Sequence, residues 1–271
     1  MLIEFSVKNY RSFRDEAILS LEATKSSTLK SVLIPFGGTP ILPSTAIYGK
    51  NGGGKSNVIR AFWLAVQFIR NAQRTQHEKA PIPVTPFALN DYSASEPTKF
   101  SFLYTLDGIR YWYSFSATKK KVYTELLYHA PKGRKTLVFA REGQEFSFTE
   151  AKARRKLISQ VVAENQLFFS VACTMNDVDC AKAMMWFREM IYFSRDYSDI
   201  PRQLLEYPND ANILRAISNY AKAADVGIED MRFEINGKQI DEEAASSEEI
   251  RAELVQFMRL LSETSMIRKR I

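Results

Sequence analysis

Eight consecutive residues, Gly49 to Ser56, constrain the fold of this 271-residue chain more than any other stretch. They read GKNGGGKS and fit the pattern GxxxxGK[ST]. Glycines let backbone amides approach phosphate oxygens without a Cβ in the way. Lys55 would place a cation on the β- and γ-phosphates of a nucleotide, and Ser56 would offer its hydroxyl to Mg²⁺. A flexible glycine turn, the alternative, leaves the Lys-Ser pair unexplained, so the sequence predicts a phosphate-binding loop (P-loop).

The segments on either side of this loop supply the context that the motif requires. Residues 44–49, STAIYG, read as a short apolar strand, which predicts a ligand at the C-terminal edge of that strand. From Lys55 to about Arg74 the apolar residues recur every three or four positions, which predicts an amphipathic helix. The start of that helix would point free amides and a positive dipole end at a bound anion. The predicted apolar face consists of Ile59, Phe62, Trp63, Val66 and Ile69.

The remaining patterns predict an α/β fold with three segments. Residues 1–98 form a lobe that carries the P-loop on a mixed sheet, with strands at LIEFSVKNY and AILSLEA. Residues 99–149 form an antiparallel β segment of the same lobe, in which Asp107-Gly108 predicts a hairpin with a type I′ turn. Residues 150–271 form a helical subdomain. Its predicted elements are helices at about 150–163, 178–193, 206–224 and 246–263, with a strand at 228–235.

Composition restricts the class of protein further. No apolar run reaches the roughly 20 residues of a membrane span, and the start of the chain lacks the pattern of a secretory signal, which predicts a cytoplasmic protein. Cys173 and Cys180 match no metal-ligand spacing and are predicted to be reduced structural thiols. The net charge of +6 favours polyanionic partners. Three basic clusters read either as solvated faces or as nucleic-acid contacts: Lys119–Lys121, Arg154–Lys156 and Arg268–Arg270.

The loop sequence GxNGxGKSN resembles the Walker A motif of ABC-type ATPases, in the branch that includes the SMC proteins, their DNA-repair relatives and the OLD-type nucleases. The N-terminal text IEFSVKNYRSFRD is similar to the opening strand and N[FY]RSF element of that branch. In those relatives the arginine of the element reaches bound nucleotide. Arg11 is therefore a candidate phosphate or ribose contact by resemblance. The alternative is a surface arginine in a turn between two strands.

Several further segments resemble prokaryotic AAA-family ATPases of the SMC/OLD type, which are often found in antiphage defence. The resemblance implies the head fold of an ABC-type ATPase, ATP and Mg²⁺ as cofactors, and a homo-oligomer of at least two copies. It also implies an effector protein such as a nuclease, nucleic acid as a further partner, and no membrane. The residues that it implies at the nucleotide are Arg11, Gly49, Lys50, Asn51, Gly52, Gly53, Gly54, Lys55, Ser56 and Asn57, with Ser56 on the metal.

The sequence departs from that family in the residues for hydrolysis. It shows no signature loop of the LSGGE kind, and neither MIYFSRD (190–196) nor LFFSVACTMND (167–177) ends in the Asp-Glu pair of a Walker B strand. The resemblance thus predicts the N-terminal portion of a longer protein. Three functions stay open: an ATPase that switches a dimer, a nucleotide-binding scaffold or truncated ATPase subunit without turnover, and a basic nucleic-acid-binding protein that needs no nucleotide.

Overall fold

The computed structural model describes residues 1–24, 30–75 and 80–191, together with the helical residues Arg215 and Asn219. The chain divides into two compact units, Met1–Phe193 and Ser194–Ile271. Every element named below belongs to the first unit. The predicted helices at 206–224 and 246–263 and the predicted strand at 228–235 lie outside the described residues, apart from Arg215 and Asn219.

The first unit is built from one sheet and a group of helices. A short 3₁₀ helix spans Lys30–Val32. The strands are β1 (Leu2–Lys8), β2 (Ala17–Ser20), β3 (Thr98–Leu106), β4 (Ile109–Ala117), β5 (Val122–Ala130), β6 (Thr136–Glu142) and β7 (Glu145–Phe148). The helices are α1 (Lys55–Thr75), α2 (Asp91–Ser95), α3 (Lys152–Ser159), α4 (Phe168–Thr174) and α5 (Val178–Glu189).

The sheet has seven strands in the order β2-β1-β3-β4-β5-β6-β7, and every pair of neighbours is antiparallel. The predicted hairpin is confirmed: β3 and β4 pair from Thr98↔Ala117 to Leu106↔Ile109. Asp107 has φ +51° and Gly108 φ +76°, the two left-handed residues that a type I′ turn requires. This turn forms as predicted because its chemistry is local.

The mixed sheet predicted to carry the P-loop is wrong for the described residues. Their sheet is antiparallel throughout, and residues 44–49 form no strand. An apolar run becomes a strand only where a neighbouring strand accepts its backbone hydrogen bonds. Residues 44–49 have no such neighbour in the described part of the chain, and Tyr48 is 89% exposed. The loop therefore follows an irregular segment, and the predicted strand edge for the ligand does not exist there.

Helix α1 packs against one face of the sheet, which we call the inner face. Phe62 of α1 meets Phe5 of β1 with 5.1 Å between ring centroids and Phe102 of β3 with 5.6 Å. The helix matches the predicted span, but its predicted apolar face is only partly correct. Val66 and Ile69 are buried, whereas Ile59 is 50% and Trp63 is 37% exposed. The buried stripe is completed by small side chains instead: Ala61, Ala65 and Ala72.

Helices α4 and α5 complete the core on the inner face. Trp186 of α5 stacks on Tyr104 of β3 at 4.4 Å between ring centroids, and Met184 of α5 is buried. The predicted helices at 150–163 and 178–193 are observed as the shorter α3 and α5. Helix α4 was not predicted. Cys173 and Cys180 are free and buried, and no described helix is long and apolar enough to cross a membrane.

A buried arginine joins the helices to the sheet. Arg155 of α3 is 1% exposed and binds both carboxylate oxygens of Asp177, at 2.9 and 3.0 Å. It also contacts Asp179 at 2.6 Å and the carbonyls of Val138 and Glu150 at 3.0 and 3.1 Å. Asp177 in turn caps α5 by accepting the Cys180 amide at 3.1 Å. One side chain thereby fixes α3, α5 and β6 to each other.

A buried carboxylate on β5 holds helix α4 in the same way. Glu125 is 0% exposed and accepts the amides of Phe168 and Phe169, both at 2.8 Å, and the Tyr113 hydroxyl at 3.0 Å. Burial raises the pKa of Glu125, although Arg141 lies 3.7 Å away. Helix α4 then contacts the P-loop helix, because Ser170 donates to the Ile69 carbonyl at 2.7 Å. The position of α1 thus depends on buried polar contacts of the sheet.

Candidate functional site

The end of β1 forms a tight turn that presents Arg11 and Ser12 at its tip. Tyr10 and Phe13 exchange two backbone hydrogen bonds of 2.8 Å across the turn. Arg11 has φ +49°, a left-handed conformation that is uncommon for a residue with a Cβ. The Arg11 amide also donates to the Thr85 carbonyl at 2.9 Å. The RSF part of the N-terminal sequence element is therefore a tight turn that is hydrogen-bonded to the 80–98 segment.

Asn9 anchors the base of this turn, and the sequence reasoning missed it. Asn9 is 4% exposed, and its side-chain amide donates to the carbonyls of Ser93 and Glu96 at 2.9 and 2.8 Å. Its Oδ1 accepts the Phe87 amide at 3.0 Å. Its φ of +54° is one that asparagine tolerates better than most residues. An asparagine directly after a strand and before a turn was the signal available in the sequence.

The glycine loop packs directly on this turn. A Cβ added to Gly54 would lie 3.0 Å from two ring carbons of Phe13 and 3.1 Å from the Ser12 hydroxyl. Asn57 donates from Nδ2 to the same Ser12 hydroxyl at 2.8 Å. The two sequence elements, which lie 45 residues apart at the Asn57–Ser12 hydrogen bond, are therefore in contact. Asn57 joins the loop to the turn through its side chain, and its predicted place at the nucleotide stays a prediction.

Two glycines of the loop have left-handed backbone conformations. Gly52 and Gly54 have φ of +78° and +89°, which residues with a Cβ rarely adopt. The Gly53 amide closes the turn onto the Lys50 carbonyl at 3.1 Å. Helix α1 then begins at Lys55, as predicted, and the amides of Asn57 and Val58 both donate to the Gly54 carbonyl, at 2.8 and 3.1 Å.

Lys55 lies across the loop that it follows. Its Nζ donates to the carbonyls of Gly49 and Lys50, at 2.6 and 2.7 Å. An ammonium group has three donors, so one N–H remains for an anion. Ser56 is exposed at the first turn of α1, and its hydroxyl has no protein partner in the described part of the chain. The roles of Lys55 on phosphate and of Ser56 on Mg²⁺ stay predictions.

The loop has free backbone amides that fit a phosphate group. The amides of Gly52, Gly54, Lys55 and Ser56 meet no acceptor among residues 1–24, 30–75 and 80–191. Free amides at a helix start bind anions, since they add to the positive end of the helix dipole. Mg²⁺, when bound, would neutralise charge on the phosphates, and the Ser56 hydroxyl is the ligand that this loop can offer. Gly49, Lys50, Asn51 and Gly53 complete the loop.

Arg11 lies on its own turn rather than on the loop. Its Nε donates to the Tyr10 hydroxyl at 3.2 Å, and its guanidinium carbon is 5.7 Å from the Tyr10 ring centroid. Its neighbours Ser12 and Phe13 make the contacts with Gly54 and Asn57. The guanidinium is exposed at the turn beside the glycine loop. Both sequence interpretations of Arg11, a nucleotide contact and a surface arginine in a turn, remain predictions.

The candidate segments for the hydrolytic residues are not strands in the described part of the chain. Residues 167–177 contain the N-cap, body and end of helix α4, so this segment is no Walker B strand. Residues 190–191 follow the end of α5, and 192–196 lie outside the described residues. The described part of the chain also contains no group of three or more His, Cys, Asp or Glu side chains that could hold a metal ion. The described site therefore consists of the glycine loop, the start of α1 and the turn.

Comparison with protein families gives one match, to residues 44–244, which is more than half of the chain. The matched family is described as "AAA domain, putative AbiEii toxin, Type IV TA system". No curated protein matches the sequence. The family match begins at the segment before the glycine loop and covers helix α1, where the free amides and Lys55 lie. The chain therefore belongs to this AAA family, whose members have the P-loop NTPase fold and generally use ATP with Mg²⁺.

Proposed function

We propose that this chain binds ATP with Mg²⁺ at Gly49–Ser56 and hydrolyses it to switch a dimer that controls a nucleic-acid-directed effector. The observation that carries the proposal is the loop: four amides without an acceptor in the described chain, beside an ammonium with a free donor. Phosphoryl transfer depends on positioned charge of this kind. The family match supports an ATP-binding ATPase domain.

The proposal also covers the ATPase subtype, the effector, the biological role and the location of the protein. We infer an SMC/OLD-like subtype from the resemblance of the N-terminal element and the loop text, and the contact between Gly54 and Phe13 supports a joint role for the two. An effector such as a nuclease, a place in antiphage defence and a cytoplasmic location belong to the same inference. The AbiEii toxin in the family description agrees with a defence role.

A second candidate function is a nucleotide-binding scaffold that does not hydrolyse ATP. The specific observation in its favour is that the apolar segment 167–177 contains helix α4 and is not a Walker B strand. The carboxylates that hold Mg²⁺ and orient the attacking water in P-loop ATPases would then have to come from outside the described residues or from a partner. This function predicts ATP binding without turnover.

We expect purified wild-type chain to hydrolyse ATP and to double its mass with ATP and Mg²⁺, and we expect Lys55→Ala to do neither. The reason is that Lys55 supplies the charge that the phosphates require. Phosphate release and light scattering after size exclusion measure the two effects, and Lys156→Ala, an exposed lysine on α3, is the control. Binding without turnover would replace the switch with the scaffold. A mass that ATP leaves unchanged in wild type would refute the dimer switch.

A further inference from the structure

The face of the sheet opposite α1, which we call the outer face, carries its own group of aromatic and basic side chains. Successive strand residues point to opposite faces. Phe102 of β3 packs on α1, so its neighbour Leu103 and the paired Trp112 of β4 lie on the outer face. Trp112 is paired in turn with Tyr128 of β5. The two rings are thus cross-strand neighbours on the face that α1 does not cover.

Cations alternate with these rings. The Arg110 guanidinium lies 5.0 Å from the Phe36 ring centroid and 5.8 Å from that of Trp112. The Lys135 ammonium lies 4.7 Å from Trp112 and 4.5 Å from Tyr128. We call these five residues, Phe36, Arg110, Trp112, Tyr128 and Lys135, the aromatic–basic surface.

Among residues 1–24, 30–75 and 80–191, the cations of this surface have no acidic partner. The ion pairs of the described residues use Arg14, Arg141 and Arg155, and neither Arg110 nor Lys135 takes part in them. Arg110 also donates no hydrogen bond within residues 1–24, 30–75 and 80–191, so its guanidinium donors are available. Two more exposed cations, Lys132 and Arg134, lie in the turn before Lys135.

Acidic residues border the surface on the side of β1. In the register of the sheet, Glu4 of β1 pairs with Leu103, which pairs with Trp112, so Glu4 is two strands away, or about 10 Å. Glu16 and Glu22 lie near Glu4, and burial together with these two carboxylates raises the pKa of Glu4. The outer face therefore has an acidic side at β1 and a basic, aromatic side over β4 and β5.

We propose that the aromatic–basic surface binds single-stranded nucleic acid. Unpaired bases expose π faces that stack on aromatic side chains, and the phosphates between them need cations with free donors. A double helix would present phosphates alone and leave Trp112 and Tyr128 without a role. This surface goes beyond the proposed function, because it is a second site, on the face opposite the P-loop helix, and it needs no ATP.

Anisotropy of a fluorescent oligo-dT of about 20 nucleotides, titrated with the full chain at several salt concentrations, tests the proposal. We expect Arg110→Gln/Lys135→Gln to bind at least about tenfold more weakly, with a shallower salt dependence. We expect Trp112→Leu to weaken oligo-dT binding by about tenfold as well, since one stacking ring is lost. Lys119→Gln/Lys120→Gln removes the same charge from another turn and should leave the affinity unchanged. Thermal unfolding verifies that each variant is folded.

Three outcomes would overturn the proposal. The control variant could weaken binding as much as Arg110→Gln/Lys135→Gln, which would mean that only overall charge matters. Poly-glutamate could bind as tightly as oligo-dT, and Trp112→Leu could leave the binding of both ligands unchanged. This result would indicate an acidic protein segment as the ligand. Wild-type chain could fail to bind oligo-dT. Lys55→Ala should bind oligo-dT as wild type does, so a failure of the ATP proposal would not affect this result.

Discussion

Replacing Arg155 with methionine should lower the free energy of unfolding by about 3–5 kcal/mol, the range found when one partner of a buried ion pair is removed. The substitution keeps an unbranched apolar chain but leaves Asp177, 2% exposed, without its two hydrogen bonds from the guanidinium. It also frees the carbonyls of Val138 and Glu150. Urea unfolding followed by circular dichroism measures the loss.

The neighbouring lysine provides the control, and pH provides a second signature. Lys156→Met removes an exposed cation from the same helix and should change stability by less than about 0.5 kcal/mol. Burial alone would raise the pKa of Asp177, but the hydrogen bonds from Arg155 and the Cys180 amide hold it below its ordinary value of 3.8. The stabilisation is then complete above pH 3.8 and is lost as pH falls through the lower, folded-state pKa. A wild-type advantage that did not narrow in strong acid would contradict this explanation.

Gly54→Ala should weaken ATP binding by at least about tenfold and destabilise the fold, because the left-handed backbone and the Phe13 contact both oppose a Cβ. The conformation alone costs about 1–2 kcal/mol. The 3.0 Å approach to the Phe13 ring adds roughly 1–3 kcal/mol of overpacking. Relief of this strain would shift the Gly54 and Lys55 amides, which are the proposed phosphate contacts. Calorimetric ATP titration and thermal unfolding measure the two effects.

Two other glycines separate strain from contact. Gly52→Ala has the strained φ of +78° but no atom within 4 Å of the added Cβ, so it should show the conformational cost alone. Gly38→Ala has open space and no left-handed backbone, so it should behave as wild type in both measurements. The expected order of damage is Gly54, Gly52, Gly38. Equal effects of Gly54→Ala and Gly52→Ala would show that the contact with the turn is unimportant.

The parts of the fold that the sequence predicted correctly are those with local causes. Helix α1 and the Asp107-Gly108 hairpin were predicted because periodicity and turn chemistry reside in a few neighbouring residues. The strand at 44–49 failed because a strand depends on a partner that no local pattern reveals. The apolar face of α1 was misassigned for a related reason: Ile59 and Trp63 have the correct spacing, but small alanines occupy the buried side.

The sequence indicated the candidate site but not the contacts that support it. The motif indicated the glycine loop, Lys55 and Ser56 because each position has a separate physical requirement. The contact of Gly54 with Phe13 and the buried amide of Asn9 join residues far apart in the chain, so only the fold shows them. The aromatic–basic surface was missed likewise, since Arg110, Trp112 and Lys135 form no cluster until the strands pair.

The central claim, that the glycine loop binds ATP, is tested most directly by calorimetric titration of ATP with Mg²⁺ into wild type, Lys55→Ala and the control Lys156→Ala. Loss of a charge-assisted contact to phosphate costs about 1.5–3 kcal/mol, so Lys55→Ala should bind at least about tenfold more weakly. The control should match wild type. Folded wild-type chain that binds no ATP, or Lys55→Ala that binds as tightly as wild type, would contradict the assignment of this loop as the nucleotide site.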